Sequence, residues 1–240
     1  MITETERARQ IVAGQKKVED AVLHTSLLRT HFIRALKKLK DGTIRITDLI
    51  ATPNGADTTN ASVQKELRDN FLVEMAAVVE YDKQIGSLKA TLKRYTHKSE
   101  KYAECWEEIR KIEDAASDHT AKLGISPRLL AMCLIKIKSM VVRIKKVNTH
   151  FQTLKERYGH EAKEIKAYNR YIERNEDLAI VERDLGCSLD EAKSVIAEIQ
   201  DQERILRRME AEVGSPHETI LLWGEKIEEG ESEIAAAKVG

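Results

Sequence analysis

Apolar residues recur every three or four positions along most of the chain, the spacing of helices that bury one side. Ile11, Val18, Ala21 and Val22 form a first stripe over about 3–25, with Gly14 in its middle. Leu28, Phe32, Ile33, Leu36 and Leu39 form a second over about 26–40, which stops at Asp41-Gly42. A longer stripe of Val63, Leu67, Phe71, Met75, Val78, Ile85, Leu88 and Leu92 predicts a helix over about 62–96, bent at Gly86. Tyr102, Cys105, Trp106, Ile109 and Ile112 predict another over about 99–116. Leu130, Cys133, Ile137, Met140, Ile144, Val147, Phe151 and Leu154 predict a helix over 127–158. One-sided helices follow over about 161–185, 189–213 and 216–229. The expected fold is all-α, an irregular bundle of about eight helices, several of them long.

Between these stripes the chain is punctuated. Ile44 and Ile46 alternate with polar residues, but no second strand of similar quality exists to pair with them, so a helical turn at Thr47-Asp48-Leu49-Ile50 is the better reading. Ala51-Thr-Pro-Asn-Gly-Ala-Asp-Thr-Thr-Asn60 buries too little to offset its backbone entropy, and a mobile linker is expected over 51–61. The chain therefore divides into 1–50, the linker and 62–240. Three further boundaries share one chemistry: Leu123-Gly124-Ile125-Ser126-Pro127, Leu185-Gly186-Cys187-Ser188-Leu189 and Val213-Gly214-Ser215-Pro216. Glycine supplies the left-handed residue that ends a helix, serine caps the next, and proline costs nothing in a first turn. Ser188-x-x-Glu191 and Ser215-x-x-Glu218 have the capping-box spacing.

Composition agrees with helix. Charged residues make up 33% of the 240, aromatics 5%, and there are only three prolines, which disfavours a sandwich or an open sheet. Cys105, Cys133 and Cys187 form neither a CxxC pair nor an even disulfide set, which suits a reducing cytoplasm. Cys133, between Met132 and Leu134, reads as a small buried hydrophobe. No run approaches the ~20 apolar residues of a membrane span, and the first residues lack the regions of a signal peptide. A soluble, unprocessed protein is expected.

Charge is balanced overall and uneven locally. Residues 127–172 hold 11 basic and 3 acidic side chains, whereas 173–240 hold 8 and 18. Lys136, Lys138, Arg143, Lys145 and Lys146 on the 127–158 helix are the candidate contacts to nucleic-acid phosphate or to an acidic protein surface. No aromatics interleave with them, so a solvated helix face is the plainer reading, and mutual packing of the basic and acidic helices is another. Trp106 and Trp223 lie on apolar stripes and read as core.

Motifs for chemistry are missing. No histidine has an acidic residue three positions before it, and GxGxxG, GxxxxGK[ST], GxSxG and HExxH do not occur. The carboxylates of the last 68 residues alternate with apolar positions as a solvated face does. Neither catalysis nor a cofactor or metal is expected, and a helical metal enzyme lacks its ligand spacings.

Glu6, Arg9, Ile11, Gly14 and Gln15, then Val18 to Leu28 and Lys40-Asp-Gly-Thr-Ile-Arg-Ile-Thr-Asp-Leu-Ile50, resemble the end of conserved region 1.2 of bacterial primary sigma factors and the start of the insert that follows it. Met209-Glu-Ala-Glu-Val-Gly214 and Ile227-Glu-Glu-Gly-Glu-Ser-Glu-Ile-Ala-Ala-Ala-Lys238, chiefly Gly230-Glu231 with Ala237-Lys238, resemble the approach to region 2. The middle is similar in pattern only, at Trp106-Glu-Glu-Ile-Arg-Lys-Ile112 and Met140-Val-Val-Arg-Ile144. The resemblance implies the non-conserved insert before the promoter-reading region. It would pack on region 2, face the β′ subunit of RNA polymerase core and support initiation and promoter escape. Promoter DNA would be bound only in the context of the full-length protein, since the melting aromatics and the −35 reader are not in this sequence. It also implies a bacterial cytoplasmic location, with no membrane or small-molecule partner. The likeness stops at Val239-Gly240, where region 2.1 would begin, so a segment of a longer protein is expected, with Met1 an added residue. The alternative is a stand-alone helical adaptor or coiled-coil scaffold, distinguished by a stable symmetric dimer through the 62–96 helix. Convergence of the two chain ends would favour an insert.

Overall fold

Thr3 starts the first helix by accepting from the Glu6 N–H at 3.3 Å, and the Glu6 carboxylate answers by accepting from the Thr3 N–H at 3.2 Å. From there a computed structural model describes the chain, with residues 1–2, 53–56, 58, 96–98 and 240 outside the description. Residues 53–56 and 58 of the linker expected over 51–61 thus lie outside the described residues, as do both terminal residues. Among the described residues the chain is all-α and contains no strand. It divides into two units, Met1–Ile137 with Leu222–Gly240, and Lys138–Leu221.

The first unit holds α1 (Glu4–Leu23), α2 (Ser26–Lys40), a 3-10 turn at Ile46–Asp48, α3 (Ala61–Leu92) and α4 (Glu100–Leu123). The start of α5 (Pro127–Tyr158) belongs to it as well. α3 and α4 run antiparallel, and Ile85, Leu92, Cys105 and Ile109 pack between them with Trp106 and Tyr102 at the margin. Phe32 of α2 meets Phe71 of α3 edge to face at 5.4 Å, both fully buried. One cation enters this interior. Arg29, 4% exposed, lies 3.4 Å from Asp82 of α3 and 3.5 Å from Glu113 of α4, and Lys89 joins Glu113 at 3.1 Å.

Three of the expected boundaries are realised through backbone chemistry. Gly124, Gly186 and Gly214 all take positive φ, between 64° and 73°, which a side chain would strain. Ser126 then does two things. Its hydroxyl accepts from Leu129 N–H at 3.2 Å, capping α5, and donates to the Asp48 carbonyl at 2.8 Å, while its own N–H donates to the Leu49 carbonyl at 3.1 Å. The start of α5 is thereby pinned to the 3-10 turn.

In the second unit the end of α5 packs with α6 (Ala162–Ala167), α7 (Asn169–Arg174), α8 (Leu178–Leu185) and α9 (Leu189–Val213). The core is Leu154, Tyr158, Ile165, Val181, Leu185, Ala192, Val195, Ile196 and Ile199. Here the single helix expected over 161–185 is three short ones. Asn175 and Asp177 adopt left-handed φ of 52° and 51°, a conformation these two residue types tolerate better than other side chains. The capping box expected at Ser188 is half made: Ser188 accepts from Glu191 N–H, while the Glu191 carboxylate accepts instead from the Tyr158 hydroxyl at 2.9 Å and pairs with Arg157.

Two other helices outrun their expected ends. α4 continues past Ala116 to Leu123, where Ala116, Ser117, Thr120 and Leu123 are buried and prolong its packed face, with Ser117 Oγ donating to Glu113 O and Thr120 Oγ1 to Ser117 O, each at 2.8 Å. α10 (His217–Val239) continues through Gly230 instead of stopping at 229.

Replacing Ser126 by alanine removes the α5 cap and orphans the buried-side Asp48 carbonyl. The expected loss is about 1–2 kcal/mol of unfolding free energy in urea titration, with helix content unchanged.

Candidate functional site

The reason α10 passes through Gly230 lies at the other end of the sequence. A Cβ on Gly230 would come within 2.7 Å of Val18 Cγ2 and 3.0 Å of the Gly14 carbonyl oxygen. A Cβ on Gly14 would come within 2.7 Å of Ile234 Cγ1 and 2.9 Å of the Gly230 carbonyl oxygen. α1 and α10 therefore cross with glycine against glycine, closer than any side chain allows, and Lys17 pairs with Glu233 beside the crossing. Both segments belong to the first unit. This brings the first and last helices of the described chain together, and it uses two of the residues that carry the sigma-factor resemblance.

The five basic residues singled out on α5 do not form one patch. Lys136, half-buried, belongs to the first unit, and Lys138, Arg143, Lys145 and Lys146, all exposed, to the second. At about 100° per residue, Lys136 and Arg143 border one side of the buried Cys133, Ile137, Met140 and Ile144 stripe. Lys138 and Lys145 border the other, and Lys146 points away from it. Ile135 and Val142, 71% and 67% exposed, share that outward face. Part of the charge imbalance is also consumed internally in the second unit. Lys166 contacts both Glu203 oxygens at 2.6 and 2.7 Å, and Arg157 pairs with Glu191.

A stronger cationic site is built in the first unit from residues far apart in sequence. A groove of about 520 Å³ lies between α2 and the first turns of α5, with the 3-10 turn at one end. His31, Arg34 and Lys38 project from α2 at helical spacing, and Arg128 from α5. Ala35, Ile44, Leu49, Leu129 and Met132 supply the apolar lining. Asp48 is the acid in it, 3.5 Å from Arg45 and 3.9 Å from Arg128. The imidazole of His31 is held below its ordinary value, first by burial and then by Lys38, Arg34 and Lys136. Of the α5 candidates, Lys136 is thus the one whose charge reaches this groove. Counting cations within one helix could not reveal it, because Arg128 stands 90 residues beyond Lys38.

Several other reactive groups are engaged in packing or in helix ends. Burial pushes the Cys133 thiol up to about 11, against a smaller opposing effect of Lys136, and Cys105 donates to the Leu88 carbonyl at 3.6 Å. Trp223 is buried, and Trp106 lies against the α3–α4 core. Glu210, His217 and Glu218 bring ligand-type atoms within 4.8 Å of one another. Their geometry serves the start of α10, where the Glu210 carboxylate accepts from the His217 N–H at 3.1 Å and meets its Nδ1 at 2.7 Å. Among the described residues, no helix is long and apolar enough to cross a membrane. No protein-family model matches the chain.

Two outcomes follow from this geometry. Gly14→Ala is expected to lose about 1–3 kcal/mol by overpacking the crossing, whereas Gly86→Ala, whose Cβ would meet nothing within 4 Å, gains about 0.5–1 kcal/mol through helix propensity. Thermal denaturation of the pair measures both. Second, a histidine with a lowered folded value holds fewer protons folded than unfolded, so stability falls as pH drops below its unfolded 6.5. His31→Gln should flatten that fall between neutral and mildly acid pH in urea titrations.

Proposed function

We propose that the chain is the helical insert of a bacterial primary sigma factor, running from the end of region 1.2 to the edge of region 2.1. In this reading it acts by binding. It holds RNA polymerase core on the β′ side in the bacterial cytoplasm and supports initiation and promoter escape. It turns over no substrate, and alone it recognises no promoter sequence.

One observation carries the reading. The segments that resemble region 1.2 and the approach to region 2 lie far apart in sequence, yet they cross at Gly14 and Gly230 with no room for a side chain. An insert must leave and return to the same place in its host, and a glycine crossing between the first and last helices is the physical means of doing so. A free-standing adaptor has no need for its ends to meet. What favours the adaptor or scaffold reading is the exposure of Val73 on α3 and of Ile135 and Val142 on α5, since solvent-facing apolar residues at helical spacing suit a second helix.

Mixing the protein with bacterial core RNA polymerase and resolving the mixture by gel filtration tests the proposal. Co-elution with core, weakened by Gly14→Leu, is expected, with no preference between promoter and non-promoter DNA. Full −10 selectivity by the isolated chain, or a stable symmetric dimer with no affinity for core, would overturn it.

A further inference from the structure

We infer that the groove between α2 and the first turns of α5 is a docking site for an acidic, apolar-anchored segment of a partner protein. The inference does not depend on the sigma-factor reading and concerns a different surface from the glycine crossing.

The argument starts from what the groove presents. Arg34, Lys38 and Arg128 are exposed, and His31 is half-buried among them. Against these stands Asp48, whose carboxylate is already approached by Arg45 and Arg128. The cations therefore outnumber the charge available to neutralise them, and the His31 imidazole, lowered first by its burial, is lowered further by Lys38, Arg34 and Lys136. Carboxylates entering here would gain charge-assisted hydrogen bonds from two guanidinium groups, whose planar forks match a carboxylate.

The lining decides which kind of anion fits. Leu49 and Leu129, each 3% exposed, and Ala35 at 4% form a fixed apolar floor, and Met132, 47% exposed, is a pliable wall. Covering this surface rewards a Leu- or Phe-like anchor and leaves a sugar-phosphate backbone uncompensated. Among the described residues no Phe, Tyr or Trp lines the groove to stack a base, and single strands are held largely by such stacking. An amphipathic segment with Asp or Glu beside one or two apolar anchors satisfies both halves of the site.

The groove is also preorganised. Ser126 ties the Arg128 and Leu129 side to the turn that carries Asp48 and Leu49 through two hydrogen bonds, and caps α5 with a third, so this end of the groove is set before any partner arrives.

The experiment uses the whole chain and three fluorescein-labelled probes. These are an amphipathic peptide of about 15 residues with Glu and Asp flanking Leu anchors, the same peptide with Gln and Asn, and a single-stranded oligonucleotide of equal net charge. Anisotropy should show the acidic peptide binding at least about tenfold more tightly than its neutral twin, and weakening as salt rises from about 50 to about 200 mM. Arg34→Glu with Lys38→Glu should reduce that affinity about tenfold or more, while Lys145→Glu with Lys146→Glu, on the second unit, should leave it within about twofold. Because all four residues are exposed, circular dichroism should show every variant folded. The His31 ring protons followed by NMR should titrate at higher pH when the acidic peptide is bound. Equal binding of the two peptides, indifference to the α2 reversals, or tighter binding of the oligonucleotide to the same groove would each overturn the proposal.

Discussion

Two backbones touch where Gly14 faces Gly230, and the packing of the first helix on the last depends on that contact. Helices ordinarily keep about 8–10 Å between axes because side chains stand between them. Here each glycine's carbonyl oxygen lies only 2.9–3.0 Å from where a Cβ on the other would be. Burial of Val18 against Gly230 and of Ile234 against Gly14 depends on that approach. α1 then hands its position on. The hydroxyl of Thr120 on α4, whose one proton is shared with Ser117 O at 2.8 Å, lies 3.2 Å from the carbonyl of α1's last residue, Leu23, and Thr25, a buried cap, holds α2 immediately after it.

A second constraint is electrostatic. Arg29 sits in the interior with Asp82 and Glu113 as its countercharges and Lys89 closing the set. The guanidinium is buried while its acids reach solvent, so its desolvation offsets much of the attraction, yet leaving it without both acids would be strongly unfavourable. The cluster acts on register. α2 can pack on α3 and α4 where both acids reach the guanidinium, and a slide along either helix would strand a charge. The Phe32–Phe71 contact is greasy and tolerant of small shifts, so the ion cluster supplies the discrimination that the apolar contact lacks.

Much of this was legible locally. The Gly-Ser-Pro punctuation at 124–127 and 214–216, and Gly-x-Ser at 186–188, needs only neighbours in sequence to act, and it marks helix ends as expected. The all-α fold followed from stripes of three and four. What escaped was decided at a distance or by conformation. Gly230 looks like a terminator until its partner 216 positions earlier is known to be Gly14. Asn175 and Asp177 read as ordinary exposed polar residues of a helix, because nothing in their identity distinguishes a tolerated left-handed conformation from an adopted one. The cations of α5 were visible as a count, yet their sides follow from which stripe is buried. The groove joins α2 to α5 across an intervening helical pair, so no single window of sequence contains it.

The glycine crossing also bears on how such a chain can change over evolutionary time. Lys17 and Glu233, beside the crossing, are separated by 216 positions. The entropy of closing a loop grows only with the logarithm of its length, so doubling the intervening chain costs about 0.6 kcal/mol. Domains between the two helices could thus be enlarged, pruned or exchanged at little thermodynamic expense while the junction itself stays intact. The junction, being two hydrogens wide, is the part with no latitude.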